Sequence, residues 1–169
     1  SYGEYFMASI GFDMGTMKPD DWARTGRYAG MVGNLGPALE AFRRYIAMDS
    51  SSIVPYLEMG HISLALDDSL VLENIAPGLA LEPNNVDLRI LKARALLKMG
   101  QQTEALELAR QLKSEAPEKV GVGLLEADLS AVQKDSAQAI KIYKRLHNAH
   151  PLNREVTLGL SKLYRAARM

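Results

Sequence analysis

Two histidines three positions apart, His147 and His150 in "KRLHNAH", have the spacing at which one helical turn presents two imidazoles to a single metal ion. No third ligand stands at a matching interval, and the dipole favours histidine near a helix C-terminus, so the pair reads as helix-end electrostatics. Asp20-Asp21 and Asp67-Asp68 are residue types that general acid–base chemistry uses. The first pair precedes a helical pattern and the second falls in a turn, where carboxylates serve backbone N–H groups. "GMVGNLGP" sets Gly30, Gly33 and Gly36 at intervals of three, reminiscent of a phosphate-cradling loop. It follows a helix rather than a strand and lacks the lysine and hydroxyl residue that such a loop needs. His61 has no serine or carboxylate partner implied by spacing, and cysteine is absent, which removes thiolate chemistry. The expectation is a chain that is not an enzyme and holds no cofactor and no metal.

The totals narrow the partners. Twenty basic and twenty acidic residues cancel over 169 positions, so no summed field exists to hold a nucleic acid or an anionic membrane surface. Lys141, Lys144 and Arg145, and Arg43-Arg44 before them, read as solvated faces of helices. An apolar share of 47% suits an ordinary globular core. No apolar run approaches the roughly 18 residues of a membrane span. The chain opens on Ser1 with no secretory pattern, and it reads as a fragment or a processed product.

Proline punctuates the elements. Pro83, Pro117 and Pro151 recur at intervals of 34, and apolar residues at helical spacing fill the stretches between them, as in Leu88, Leu91 and Leu96, then Leu106, Ala109 and Leu112. Each interval holds two helices. Small residues follow the same period: Gly26, Gly60, Ala93, Ala127 and Ser161 are separated by 34, 33, 34 and 34. Ala38, Leu72, Ala105 and Ala139 form a second ladder, and Tyr45, Leu79, Leu112 and Leu146 a third, each with the same short step. A small residue on one helix facing an alanine on the next lets two antiparallel backbones approach, while larger residues fill the wedge to the neighbouring hairpin. A single hairpin cannot bury both faces, so hairpins stack.

"WARTGRYAGMVGNLGPALEAFRRYIAMDS" resembles the tetratricopeptide consensus, with Trp22, Gly26, Ala38 and Phe42 in place and Thr25, Ala29 and Ser50 departing from it. The resemblance implies an all-α fold, a superhelix of antiparallel hairpins. Four repeats are expected at 19–52, 53–85, 86–119 and 120–153. Residues 154–169 would form the first helix of a fifth repeat or a C-terminal cap, and 1–18 an N-terminal capping helix or the remnant of a preceding repeat. Tyr2, Phe6, Ile10 and Met14 at four-residue spacing support a helix there, and Gly11 and Gly15 weaken it. Repeat two is a residue short and carries Pro77-Gly78 inside its expected second helix, which predicts a kink or break near Ala76.

In the family that the chain resembles, first helices line a concave groove. Carried over repeat by repeat, the groove positions include Arg27 and Met31, then Leu57, His61 and Leu64, then Ile90, Arg94 and Leu97, then Leu124 and Asp128, and finally Lys162. The face is aliphatic, crossed by single charges, and would suit an apolar peptide or helix. The lysine-and-asparagine clamp of relatives that bind chaperone tails is missing: fifth positions hold Ala23, Leu57, Ile90 and Leu124, and ninth positions Arg27, His61, Arg94 and Asp128. Burial of the band by another part of the same protein is the competing account. The resemblance therefore implies a protein–protein interaction scaffold whose partner is another protein or peptide. Assembly factors for a bacterial envelope, pilus or exopolysaccharide system are the roles that it suggests. The alternative is a non-catalytic segment of a larger enzyme or regulator. Self-association through exposed repeat ends is a further expectation, and the compartment is left between bacterial cytoplasm and periplasm.

Overall fold

Short polar side chains set where several of the helices start. In the computed structural model, which describes residues 16–66 and 70–166, nine α-helices and no strand occur among the described residues. They are α1 (Pro19–Met31), α2 (Leu35–Met48), α3 (Val54–Ala65), α4 (Val71–Leu81), α5 (Val86–Lys98), α6 (Gln102–Glu115), α7 (Val120–Val132), α8 (Ser136–Ala149) and α9 (Arg154–Ala166). Leading N–H groups, which have no partner within the helix, find side-chain acceptors. Leu88 N–H donates to Asn85 Oδ1 at 3.1 Å, Gln138 N–H to Asp135 Oδ1 at 2.9 Å and Val156 N–H to Asn153 Oδ1 at 3.1 Å. Asp21, one of the acid pair, accepts from Lys18 N–H at 3.0 Å and so acts at the start of α1.

The chain divides into two compact units, residues 1–91 and 92–169. In the first unit α1 packs on α2 and α3 on α4. A Cβ added to Gly26 would lie 2.7 Å from Phe42 Cε2, and one added to Gly60 would lie 2.5 Å from Ile75 Cγ2 and 2.8 Å from Leu91 Cδ1. The backbones come this close because there is no side chain between them. Ala38 and Phe42 are fully buried beside them, together with Tyr45, Met59 and Ile62.

The second unit repeats the arrangement with alanine. Ala93, Ala127, Ala105 and Ala139 have no exposed surface, and α7 packs on α8, which in turn carries α9. Leu124, Ala127, Ile142, Tyr143, Leu146 and Val156 form its core. Burial of each large side chain of this kind stabilises by about 1.5–3 kcal/mol, which is why the apolar stripes outweigh local preferences. Of the small-residue ladder, only Ser161 is exposed.

The expected break near Ala76 is corrected: α4 runs without interruption from Val71 to Leu81 with Pro77 inside it. Pro77 is on the exposed side, where water can satisfy the carbonyl that its missing N–H leaves behind. Gly78 is buried, and a Cβ there would lie 2.9 Å from Tyr56 Cβ, so tertiary packing holds the segment helical against its propensity. The helix expected over residues 1–18 and the turn acids Asp67-Asp68 lie outside the described residues, apart from positions 16–18.

Candidate protein-binding faces of the first helices

The face-bearing residues divide into those that water reaches and those that neighbours already cover. In the first unit, α1 presents Met31, 82% exposed, and beside it the exposed Tyr28 and Val32. Arg27 Nε pairs with Glu58 Oε1 of α3 at 3.0 Å, both side chains partly exposed. His61 is exposed and Leu57 half-buried. Leu64 and Ile90 are buried, at 8% and 6% exposure, and offer little contact surface.

In the second unit, Leu97 and Leu124 are buried as well, at 9% and 2%. The charged positions are joined to each other. Arg94 Nε lies 3.3 Å from Asp128 Oδ2, and its Nη1 lies 2.5 Å from Glu155 Oε1. The Tyr143 hydroxyl donates to Asp128 Oδ1 at 3.0 Å. Arg94 thereby bridges α5, α7 and α9, and the carboxylate between them is held from both sides.

Burial pushes the Asp128 carboxyl above the usual carboxylate range, while Arg94 and the Tyr143 hydroxyl bond pull the other way. Burial alone would lower the Arg94 guanidinium, but the Asp128 and Glu155 charges outweigh it and hold it above its ordinary value. Tyr143 is held well above the ordinary phenol value, first by burial and then by the adjacent Asp128 charge. These are the properties of a structural network in which one guanidinium is shared between two carboxylates. Lys162 is exposed on α9.

Glu58, Glu155 and Tyr143 matter to these faces beyond the candidate residues read from sequence. A usable signal existed: Arg94 and Asp128 are opposite charges at the same register of successive repeats, and Arg27 and Glu58 are opposite charges 31 residues apart. His147 is half-buried and His150 exposed, and no group of three or more potential metal ligands occurs among the described residues. No described helix is long and apolar enough to cross a membrane.

The tetratricopeptide repeat family model matches residues 90–119. Comparison with the sequences of curated proteins gives no match. Among solved structures the chain is similar to TTC0263, a thermophilic tetratricopeptide protein of Thermus thermophilus, at 14% identity and TM-score 0.67, over 96% of this chain and 87% of that one. It is similar to pilF of Pseudomonas aeruginosa at 19% identity and TM-score 0.63, over 89% and 69%. A human IFIT1 dimer solved with m7Gppp-AAAA matches at 15% identity and TM-score 0.74, over 98% of this chain but 40% of that one. The fold is thus an all-α helical repeat.

Proposed function

We propose that this chain, which has the tetratricopeptide-repeat fold and carries a recognised repeat at residues 90–119, is a non-catalytic scaffold that binds a peptide or helix of another protein. Binding uses the exposed faces of its first helices, within a division into four repeats at 19–52, 53–85, 86–119 and 120–153. The observation that carries the reading is the α1–α3 face: Met31 at 82% and Tyr28 at 64% exposure stand on the helix that carries the half-exposed Arg27–Glu58 pair, with His61 also open to solvent. Apolar side chains left in water next to charges that a ligand can share suit an amphipathic helix or an extended apolar peptide. A bacterial assembly role, at an envelope, pilus or exopolysaccharide machine, belongs to the same reading. The cancelled net charge speaks against nucleic acid.

A second reading, a non-catalytic segment of a larger protein, is favoured by one observation: the chain spans well under half of the IFIT1 chain that it matches. The test is selection of ligands from a library of helical and extended peptides, followed by titration against Met31→Asp and His61→Asp. Both residues are exposed, so circular dichroism should be unchanged while affinity falls about tenfold or more, the scale of an interface hot spot. Equal affinity in both variants removes this face from the function, and retention of homopolymeric RNA at physiological salt would replace the protein partner with a nucleic acid.

A further inference from the structure

Gln102 is the first residue of α6 and is exposed. Two repeats earlier the same register holds Leu35, the first residue of α2, which packs against the cluster that contains Leu39 and Ile62. The counterparts of those two residues in the second unit are Leu106 and Leu129. Leu39 and Ile62 are each 8% exposed, whereas Leu106 is only half-buried. A glutamine whose amide stays in water does not cover these side chains as Leu35 does, and a socket is left between α5, α6 and α7. Leu97, Leu106, Leu129 and Val132 line it, Gln102 and Gln133 border it, and its volume is about 200 Å³.

That volume decides the size of what enters. A cavity of about 150 Å³ lined by apolar side chains takes a benzene molecule, whereas drug-sized ligands need about 300 Å³ or more, so this socket suits one large apolar side chain. None of the lining residues is charged, and a charged group would find no partner there. The exposed amides of Gln102 and Gln133 offer donors and acceptors, which a peptide main chain on either side of the inserted residue requires. The first unit shows the shape that fits, because Leu35 supplies a leucine from within at the same register. We propose that the socket among Leu97, Leu106, Leu129 and Val132 binds one leucine side chain of a short, uncharged, extended segment of another protein, whose main chain meets the two glutamines. The following repeat already stands in place, since α7 itself forms one wall, so a further helix of the array is not the missing cover. A second copy of this chain is the poorer occupant: its most exposed leucine, Leu152 at 98%, sits in the tight turn that Asn153 N–H closes on the His150 carbonyl at 3.0 Å, not on an extended segment. The socket lies within the second unit and is independent of the α1–α3 face.

A capped heptapeptide with one central leucine among alanine and serine serves as the probe. Titrated into the full chain labelled at its leucine and valine methyl groups, it should give saturable shifts centred on Leu97, Leu106, Leu129 and Val132. The expected dissociation constant is on the order of 1 mM, because one buried side chain and a few main-chain hydrogen bonds must outweigh the cost of association. Alanine in place of the peptide leucine should weaken binding about tenfold or more. Gln102→Leu gives α6 the residue type of Leu35 and should fill the socket from within, so that affinity falls about tenfold or more while the urea midpoint rises. The proposal is overturned by no saturable shift at peptide concentrations about tenfold above the expected constant, by equal affinity of the alanine peptide, by shifts that map elsewhere, or by unchanged binding in Gln102→Leu with its helicity intact. Shifts at the same methyl groups that depend on protein concentration without peptide would assign the socket to a second copy and overturn it as well.

Discussion

Arg94 and Asp128, 34 residues apart in sequence, meet in space with Nε 3.3 Å from Oδ2. They occupy the same register of successive repeats, so the period that stacks the helices also brings these two charges together. Tyr143 secures the second oxygen of Asp128, and Glu155 takes the other side of the guanidinium. The Arg94 and Asp128 side chains are 22% and 30% exposed, enough to lose much of their hydration and make the pairing matter.

Replacing Arg94 with Met keeps the stem that packs and removes the charge. Asp128 is then left partly buried without its cation, and the variant should be about 1–3 kcal/mol less stable in urea denaturation. The Arg94→Met, Asp128→Asn double variant should recover part of that loss. Full additivity of the two single effects would show that the pair is not coupled.

The Asp128 carboxyl should titrate above its ordinary value of 3.8, the shift being caused by burial and opposed by Arg94 and Tyr143. As pH falls, the folded chain takes up this proton before the unfolded chain does. The contribution of Asp128 to stability therefore rises as pH drops through its folded-state value, and its ionised form is the less favourable one at neutral pH. Carboxyl-carbon NMR should show the elevated titration, raised further in Tyr143→Phe and in Arg94→Met. A normal or depressed value in the native chain would contradict the assigned burial.

Gly60→Ala adds a methyl 2.5 Å from Ile75 Cγ2 and 2.8 Å from Leu91 Cδ1. Alanine gains about 1 kcal/mol of helix preference, but overpacking costs about 1–3 kcal/mol, so a net loss of about 1 kcal/mol is expected in thermal or chemical unfolding. A stabilised Gly60→Ala would mean that α3 and α4 separate at no cost.

Lys134 has φ +62° in the α7–α8 turn, where the α1–α2 and α5–α6 turns have Gly33 at +82° and Gly100 at +79°. All three turns are closed by the same backbone pattern: Gly33, Gly100 and Lys134 donate to the carbonyls of Gly30, Leu97 and Ala131 at 3.1 Å. A side chain in the left-handed region costs about 1 kcal/mol, partly offset by the greater freedom of glycine when unfolded. Lys134→Gly should therefore raise the melting temperature by a few degrees, and an unchanged or lower value would count against strain in that turn.

The repeat period was open to reading because close helix packing imposes a requirement on residue size. Gly26, Gly60, Ala93 and Ala127 announce themselves by volume alone, and all four are buried. Depth was not legible in the same way. Leu64, Ile90, Leu97 and Leu124 were expected on the same groove face as Arg27 and His61, yet they are covered while Arg27 and His61 are exposed. Register says toward which side of a helix a residue lies, whereas coverage depends on the size and tilt of neighbours distant in sequence. Pro77 shows the converse, a local signal for a break overruled by the packing of Gly78 against Tyr56.

By itself the sequence determined an all-helical array, because volume and hydrophobic period act over one or two turns and repeat with the chain. Only the tertiary structure decided that Arg94 is shared between Asp128 and Glu155 and that Met31 and Ser161 face water. Ion pairing and exposure depend on which helices meet across tens of residues, and that is set by the packing of whole helices rather than by any short segment.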